Sequence, residues 1–295
     1  EAADGCGLWD EADGFYYDML SLPDGRCAPL KVRSVVGLVP LFAVEVLEPD
    51  LLARCPGFTA RLRWLLENRP DLARLVSRWE EPGIGERHLL SLLRGSRMKR
   101  LLRRTLDEAE FLSPYGVRSL SKKYEADPYI LAIDGHAAEV RYDPAESRVN
   151  QFGGNSNWRG PIWLPINYLL VQSLHRFHRY YGDDFRIECP TGSGCYVTLA
   201  SAADEVARRL VRLFLLGGDG RRPIWGGNSR SRSGPAFDDL LLFHEYFDGD
   251  TGKGLGASHQ TGWTGLVANL LQEGVHGLGV SFVQHSPTMG RKEAG

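Results

Sequence analysis

Glu245 is the carboxylate around which the chemistry of this chain is read. It lies in Phe243-His244-Glu245-Tyr246-Phe247-Asp248-Gly249-Asp250-Thr251-Gly252-Lys253-Gly254, and His259-Gln260-Thr261-Gly262-Trp263-Thr264-Gly265 follows closely. A carboxylate among aromatics, just ahead of a turn rich in Gly and Asp, is expected at the end of an element, where reacting groups are displayed. Gln260 can both donate and accept hydrogen bonds, and Trp263 offers a flat apolar face with one N–H donor. Carboxylate, amide and indole together suit a polyhydroxylated ligand: sugar hydroxyls need forked hydrogen bonds, and the C–H face of a pyranose needs an aromatic to pack on. The competing reading of Glu245 is a structural or solvated glutamate.

A second loop, Gln151-Phe152-Gly153-Gly154-Asn155-Ser156-Asn157-Trp158-Arg159-Gly160-Pro161-Ile162-Trp163, carries the same kind of chemistry. Its glycines allow close approach of a ligand, and Asn155, Asn157 and Arg159 supply donors between the indoles of Trp158 and Trp163. Arg159 serves equally well as a clamp on a buried carboxylate, because its planar fork suits both tasks. His244 and His259 flank the same region and either bond a ligand or pack. His175 and His178 have a spacing that could bind metal but no obvious further ligand; placement near a helix C-terminus explains them better.

These loops need a frame to position them. From Gly57 to Leu75 and from Glu86 to Leu112, leucines recur every three or four residues between charges, predicting helices with one buried face. The basic run Arg94 to Arg104 reads as the solvated side of such a helix. Val32 to Leu47, apolar almost all round, predicts a helix buried on most sides. Gly160 to Tyr181 predicts another, with Pro161 in its first turn, a face of Ile162, Ile166, Leu169, Leu170, Leu174 and Phe177, and Gly182 as its C-terminal cap. Further helices are expected over 200–216 and 264–272. Tyr129 to Ile133 and Glu139 to Tyr142, joined through Asp134-Gly135, predict a small hairpin insertion. The expected fold is mainly α: paired helices joined by long functional loops, which suggests an α/α toroid, with a plain bundle as the alternative.

The chain has 295 residues, 43% hydrophobic and 24% charged, with a net charge of −2, so it can build a large core and carries no electrostatic footprint for nucleic acid or an anionic membrane. Five cysteines, Cys6, Cys27, Cys55, Cys189 and Cys195, include no C-x-x-C pair, which argues against a disulfide framework or a zinc site. No Asn-x-Ser/Thr acceptor occurs, and no apolar run reaches the ~20 residues that span a bilayer. A cytoplasmic setting is expected. There is no G-x-S-x-G elbow, Walker loop or G-x-G-x-x-G, so acyl transfer, nucleotide hydrolysis and dinucleotide binding lack local support.

Trp158-Arg159-Gly160-Pro161-Ile162-Trp163 with Asn167-Tyr168, Tyr115-Gly116-Val117-Arg118-Ser119-Leu120-Ser121, and the Glu245 segment with Gly262-Trp263-Thr264 resemble glycoside hydrolase family 63. That family holds processing α-glucosidase I and bacterial relatives acting on small α-glucosides and α-mannosides. The resemblance covers roughly Leu8 to Leu271. It implies an (α/α)6 barrel, metal-free and without cofactor, that hydrolyses an α-glycosidic bond of an oligosaccharide or small glycoside with inversion. It implies Glu245 as general base and Trp158, Arg159, Trp163, Gln260 and Trp263 as the lining of the sugar pocket. Asp10 and Tyr17 lie in a segment that resembles a pocket-edge loop.

An inverting enzyme needs one ionised carboxylate to deprotonate water and a protonated one to assist the leaving oxygen, roughly 6.5–9.5 Å apart. An ordinary solvated glutamate, with a pKa of about 4.3, is ionised at neutral pH. In the family the acid is an aspartate well before the segment resembling Leu8 to Asp18, so Asp10, Asp13 and Asp18 are the early candidates, and the chain is expected to lack the acid and the first barrel helices. The expected organisation is a partial catalytic domain over residues 1–273 and a tail, 274–295. The competing class is a carbohydrate-binding or degenerate module without a working acid; a helical scaffold for protein partners is the third.

Overall fold

Apolar side chains at Leu164, Leu170, Val171, Leu174, Phe177 and Tyr180 line the buried side of the longest helix, Leu164–Tyr181. In the computed structural model, which describes residues 7–74, 76, 79, 81–133, 136–148, 160–226 and 240–274, this helix is the axis of the core. Pro165 sits in its first turn and Gly182, at φ 68°, ends it; only glycine takes that backbone at no steric cost. The expected first-turn proline, Pro161, instead lies in an extended segment before the helix. The buried stripe is also rotated from the expected one, since Leu169 stays exposed.

The described helices are α1 (Pro49–Arg54), α2 (Pro56–Asn68), α3 (Pro70–Ala73), α4 (Gly95–Thr105), α5 (Leu164–Tyr181), α6 (Leu199–Arg212) and α7 (Val267–Gly274). Leu199, Ala202, Ala203, Val206, Leu210 and Val211 give α6 a continuous apolar side. That side packs on α5, and α7 packs on α6. Thr198 caps α6 by accepting the Ser201 N–H at 3.1 Å, satisfying a donor that the helix start leaves without a partner.

Strand content exceeds the mainly helical expectation. Seven two-stranded antiparallel sheets occur among the described residues: β1 (Trp9–Asp10) with β2 (Phe15–Tyr16), β3 (Asp18–Ser21) with β4 (Cys27–Leu30), β5 (Val44–Leu47) with β6 (His88–Ser91), β7 (Leu112–Ser113) with β8 (Gly116–Val117), β9 (Tyr129–Ile133) with β10 (His136–Val140), β11 (Arg186–Glu188) with β12 (Tyr196–Thr198), and β13 (Tyr246–Phe247) with β14 (Gly254–Leu255). The expected hairpin is β9 and β10, its second strand starting earlier than read, at His136; its Asp134-Gly135 turn lies outside the described residues.

Two helical expectations are corrected. Val32 to Leu47 is not one helix but a 3-10 segment, Val35–Leu41, followed by β5. Pro40 has no N–H to continue a helical ladder, and a Cβ at Gly37 would come 2.2 Å from the Phe15 ring, so this backbone is pressed against β2 rather than exposed as a helix surface. Glu86 to Leu112 likewise divides into β6, α4 and β7. The α2 helix forms where leucine spacing places it, yet none of its residues is buried.

The main core runs from Phe15 and Phe111 through Leu101, Leu102, Ile162, Phe177 and Leu210 to Phe247 and Leu270. A smaller cluster of Leu120, Tyr124, Val140 and Tyr142 lies beneath the β9–β10 hairpin. The tail 275–295 falls outside the described residues.

Candidate active site

Three sequence-distant segments are knitted together beside Glu245. The Ile162 N–H donates to the Phe247 carbonyl at 2.8 Å and the Phe247 N–H returns to the Ile162 carbonyl at 2.9 Å. On the other side of Pro161-Ile162, the Ser119 N–H donates to the Pro161 carbonyl at 3.1 Å. Asn167, in the first turns of α5, fixes the outer edge: its Oδ1 accepts the Val117 N–H at 2.7 Å and its Nδ2 donates to the Val117 carbonyl at 2.9 Å. The main chain of Arg118-Ser119, Pro161-Ile162 and Phe247 therefore forms one platform, from which Trp163 and Glu245 depart within two residues.

Glu245 is half-buried. Its N–H donates to the Ala257 carbonyl at 2.8 Å, and its Oε2 accepts the Ala257 N–H at 3.4 Å. Gly256 closes against it, since a Cβ there would lie 2.8 Å from Oε2. The second carboxylate oxygen, Oε1, has no hydrogen bond among the described residues. Immediately before, Phe243 bridges His259 and its carbonyl accepts the Gln260 N–H at 2.7 Å. The Gln260 carbonyl then accepts the Trp263 and Thr264 N–H groups at 3.1 and 2.9 Å, turning the chain. That turn brings the Trp263 ring to 5.2 Å from Trp163, tilted at 56°. Glu245, Gln260, Trp263 and Trp163 are thus drawn into one neighbourhood. His244 is buried and packs its ring against Gly254, where a Cβ would meet Cδ2 at 2.2 Å. Trp158 and Arg159, with Asn155 and Asn157, lie outside the described residues.

The turn after Glu245 is anchored by a charged cluster whose members are far apart in sequence. Asp250 Oδ1 accepts from Arg118 Nη2 at 3.0 Å and from the Tyr142 hydroxyl at 3.1 Å, while Oδ2 accepts from Lys122 Nζ at 3.0 Å. Arg118 is buried and also donates Nε–H to Tyr142 at 3.0 Å. Burial alone would raise the Asp250 pKa, but the hydrogen bonds and charges of Lys122 and Arg118 outweigh it and hold the carboxyl below its ordinary 3.8. A depressed carboxylate stabilises the fold above its unfolded pKa and loses that contribution as pH falls through the folded value. The stability gap between the native chain and Asp250→Asn should therefore narrow in urea titrations as pH drops below 3.8; a gap that stays constant from neutral pH through that range would contradict the ion cluster.

Asp10 and Tyr17 belong to a different network. Asp10 pairs with Lys31 at 2.6 Å and accepts the Asp13 N–H at 2.8 Å. The buried Tyr17 hydroxyl donates to Asp13 Oδ2 at 2.9 Å and accepts from Arg33 Nε at 3.3 Å. Arg33 reaches on to Glu110 at 3.0 Å, which Arg104 also contacts at 2.7 Å. Hydrogen bonds from Lys31 lower the Asp10 pKa. Burial works the other way at Asp13 but is outweighed by Tyr17, Arg33 and Arg104. A general acid needs a raised pKa, so both groups are tuned against that task. The two networks meet at Lys122, whose N–H donates to the Glu110 carbonyl at 2.8 Å while its ammonium holds Asp250.

No group of three or more His, Cys, Asp or Glu able to hold a metal occurs among the described residues. His175 and His178 instead approach Asp204 and Asp183, at 3.6 and 3.7 Å. Among the described residues no helix is long and apolar enough to cross a membrane.

Comparison with known proteins gives a domain match and several relatives. Residues 88–264 match the mannosylglycerate hydrolase MGH1-like glycoside hydrolase domain, a span that contains Trp163, Glu245, Gln260 and Trp263 and leaves Asp10 and Tyr17 outside. An uncharacterized protein of Saccharomyces cerevisiae is 48% identical over 280 residues, covering 94% of this chain and 25% of the relative. A probable mannosyl-oligosaccharide glucosidase of Schizosaccharomyces pombe is 30% identical over 178 residues, 60% of this chain and 15% of that protein. A mannosyl-oligosaccharide glucosidase of Saccharomyces cerevisiae is 28% identical over 121 residues, 41% of this chain and 11% of that protein. The chain spans a quarter or less of the length of these relatives.

Proposed function

The chain belongs to the mannosylglycerate hydrolase MGH1-like glycoside hydrolase domain family, as its resemblance to glycoside hydrolase family 63 implies, and from that premise we propose that it hydrolyses an α-glucosidic or α-mannosidic bond with inversion. The observation that carries the reading is the gathering of the Glu245 carboxylate, the Gln260–Trp263 turn and Trp163 beside the Ile162–Phe247 pairing. Glu245 is the general base. One of its oxygens is occupied by the Ala257 N–H, which fixes the plane of the carboxylate and leaves the other to take a proton from water. As that proton leaves, the water oxygen bonds to the anomeric carbon from the face opposite the leaving group. The glycosidic C–O bond breaks, and the departing oxygen takes its proton from a second, protonated carboxyl group.

Trp163 and Trp263 offer ring faces for the apolar side of the hexose, and Gln260, with Trp158 and Arg159, supplies hydrogen bonds to its hydroxyls. The second carboxyl is not placed at Asp10 or Asp13, which are engaged by Lys31 and by Tyr17, Arg33 and Arg104. Asp10 and Tyr17, held by Lys31 and by the Asp13–Arg33 network, are given no sugar contact in this reading. The paired helices α5 and α6, with α7 against α6, are read as part of an (α/α)6 barrel whose loops carry the site. The substrate is an oligosaccharide or small glycoside, and the free thiols of Cys27, Cys55, Cys189 and Cys195 accord with a cytoplasmic setting.

The test is a panel of α-glucosides and α-mannosides given to the full-length protein, with release of free hexose as the readout. Hydrolysis of at least one class is the expected result. Binding of these sugars without hydrolysis would replace the enzyme by a carbohydrate-binding module.

A further inference from the structure

Cys189 and Cys195 stand directly opposite each other at the turn end of the β11–β12 ribbon. The register runs Arg186 to Thr198, Ile187 to Val197 and Glu188 to Tyr196, so the next pair is Cys189 with Cys195. The Cys189 N–H donates to the Cys195 carbonyl at 3.0 Å, which continues the ladder. Directly opposed residues of an antiparallel pair project from the same face, with Cα atoms about 5.5 Å apart in a hydrogen-bonded pair. A disulfide needs Cα atoms about 4.4–6.8 Å apart, a range that includes the ordinary separation of such a pair.

The turn between them is held independently of the sulfurs. Thr191 donates its N–H to the Leu106 carbonyl at 2.9 Å and its hydroxyl to the Arg103 carbonyl at 2.7 Å, docking the turn on the end of α4. Gly194 donates to Glu188 Oε1 at 2.8 Å, and Gly192 and Gly194 take positive φ, so the chain reverses without strain. Both thiols are free; Cys195 is exposed and Cys189 buried, and burial raises the Cys189 pKa.

We propose that Cys189 and Cys195 form a reversible disulfide by exchange with a low-molecular-weight disulfide. The exposed Cys195, as its thiolate, attacks the small disulfide. One S–S bond breaks, a mixed disulfide forms on Cys195, and one small thiolate leaves. Cys189, giving its proton to solvent, then attacks the Cys195 sulfur and expels the second small thiolate. Two protein thiols are oxidised and one small disulfide is reduced to two thiols, so atoms and electrons balance. Opposed placement makes the second step intramolecular, and it outruns any second encounter.

The experiment incubates the folded chain with oxidised glutathione, blocks remaining thiols and digests with trypsin. No Lys or Arg lies between Ile187 and Arg208, so both cysteines fall in one peptide, which should lose two hydrogens and gain no glutathione. In Cys189→Ser the intermediate cannot resolve, and glutathione on Cys195 should be on the order of ten-fold more abundant than in the native chain. A native chain that keeps glutathione on Cys195 beside a free Cys189 thiol, or that leaves both thiols unreacted, would overturn the pairing. None of these readouts depends on glycosidase activity.

Discussion

Glu245→Gln in the full-length protein is expected to lower kcat on the order of 10²–10⁴-fold, the range for loss of a positioned general base. Glutamine keeps the shape and can still accept the Ala257 N–H that now meets Oε2 at 3.4 Å. It cannot take a proton from water, so substrate affinity should change little while turnover falls. Steady-state kinetics with a parallel sugar titration separate the two effects. Full turnover in the variant would remove Glu245 from the chemistry, and loss of both binding and turnover would make it a structural residue.

Arg118→Met is expected to cost about 3 kcal/mol of stability, the low end for breaking a buried pair by removing one partner. Asp250 would keep Lys122 and Tyr142 at 3.0 and 3.1 Å, which limits the loss. Arg118 itself is poorly compensated: its Nη1 is buried without a hydrogen-bond partner among the described residues. Methionine fills similar volume without that unmet donor. The charge left behind on Asp250 is what destabilises, so Arg118→Met combined with Asp250→Asn should cost less than the sum of the single variants. Urea midpoints of the four chains measure this; strict additivity would show that Arg118 and Asp250 do not act as a unit.

The long helices were legible because their signal is local. Leucine, alanine and valine at three- and four-residue intervals mark α6 within its own residues, and glycine at 182 marks where α5 stops. The segment 32–47 misleads for a physical reason: its apolar residues serve a 3-10 turn and a strand, and the strand's partner, His88–Ser91, is remote in sequence. Leucine spacing identified α2 as a helix but not its exposure, because burial depends on what packs nearby. In the site, residue type drew attention to Glu245, Gln260, Trp163 and Trp263, and the fold brings their segments together. In sequence, Asp250 is one residue of a Gly- and Asp-rich turn. Its partner Arg118 is 132 residues away, and no spacing rule joins an arginine and an aspartate across that distance. The acids Asp10 and Asp13 looked available in sequence; only their neighbours Lys31, Arg33 and Arg104 show why they are held ionised.

The most direct measurement is the anomeric configuration of the sugar first released from an α-glycoside by the full-length enzyme, followed by proton NMR before mutarotation. If Glu245 activates the water of a single displacement, as proposed, attack comes from the face opposite the leaving oxygen, so the β anomer should appear first and the α anomer only by later equilibration. An α anomer released first would require a covalent glycosyl-enzyme intermediate, and Glu245 would then not be the base of a single displacement.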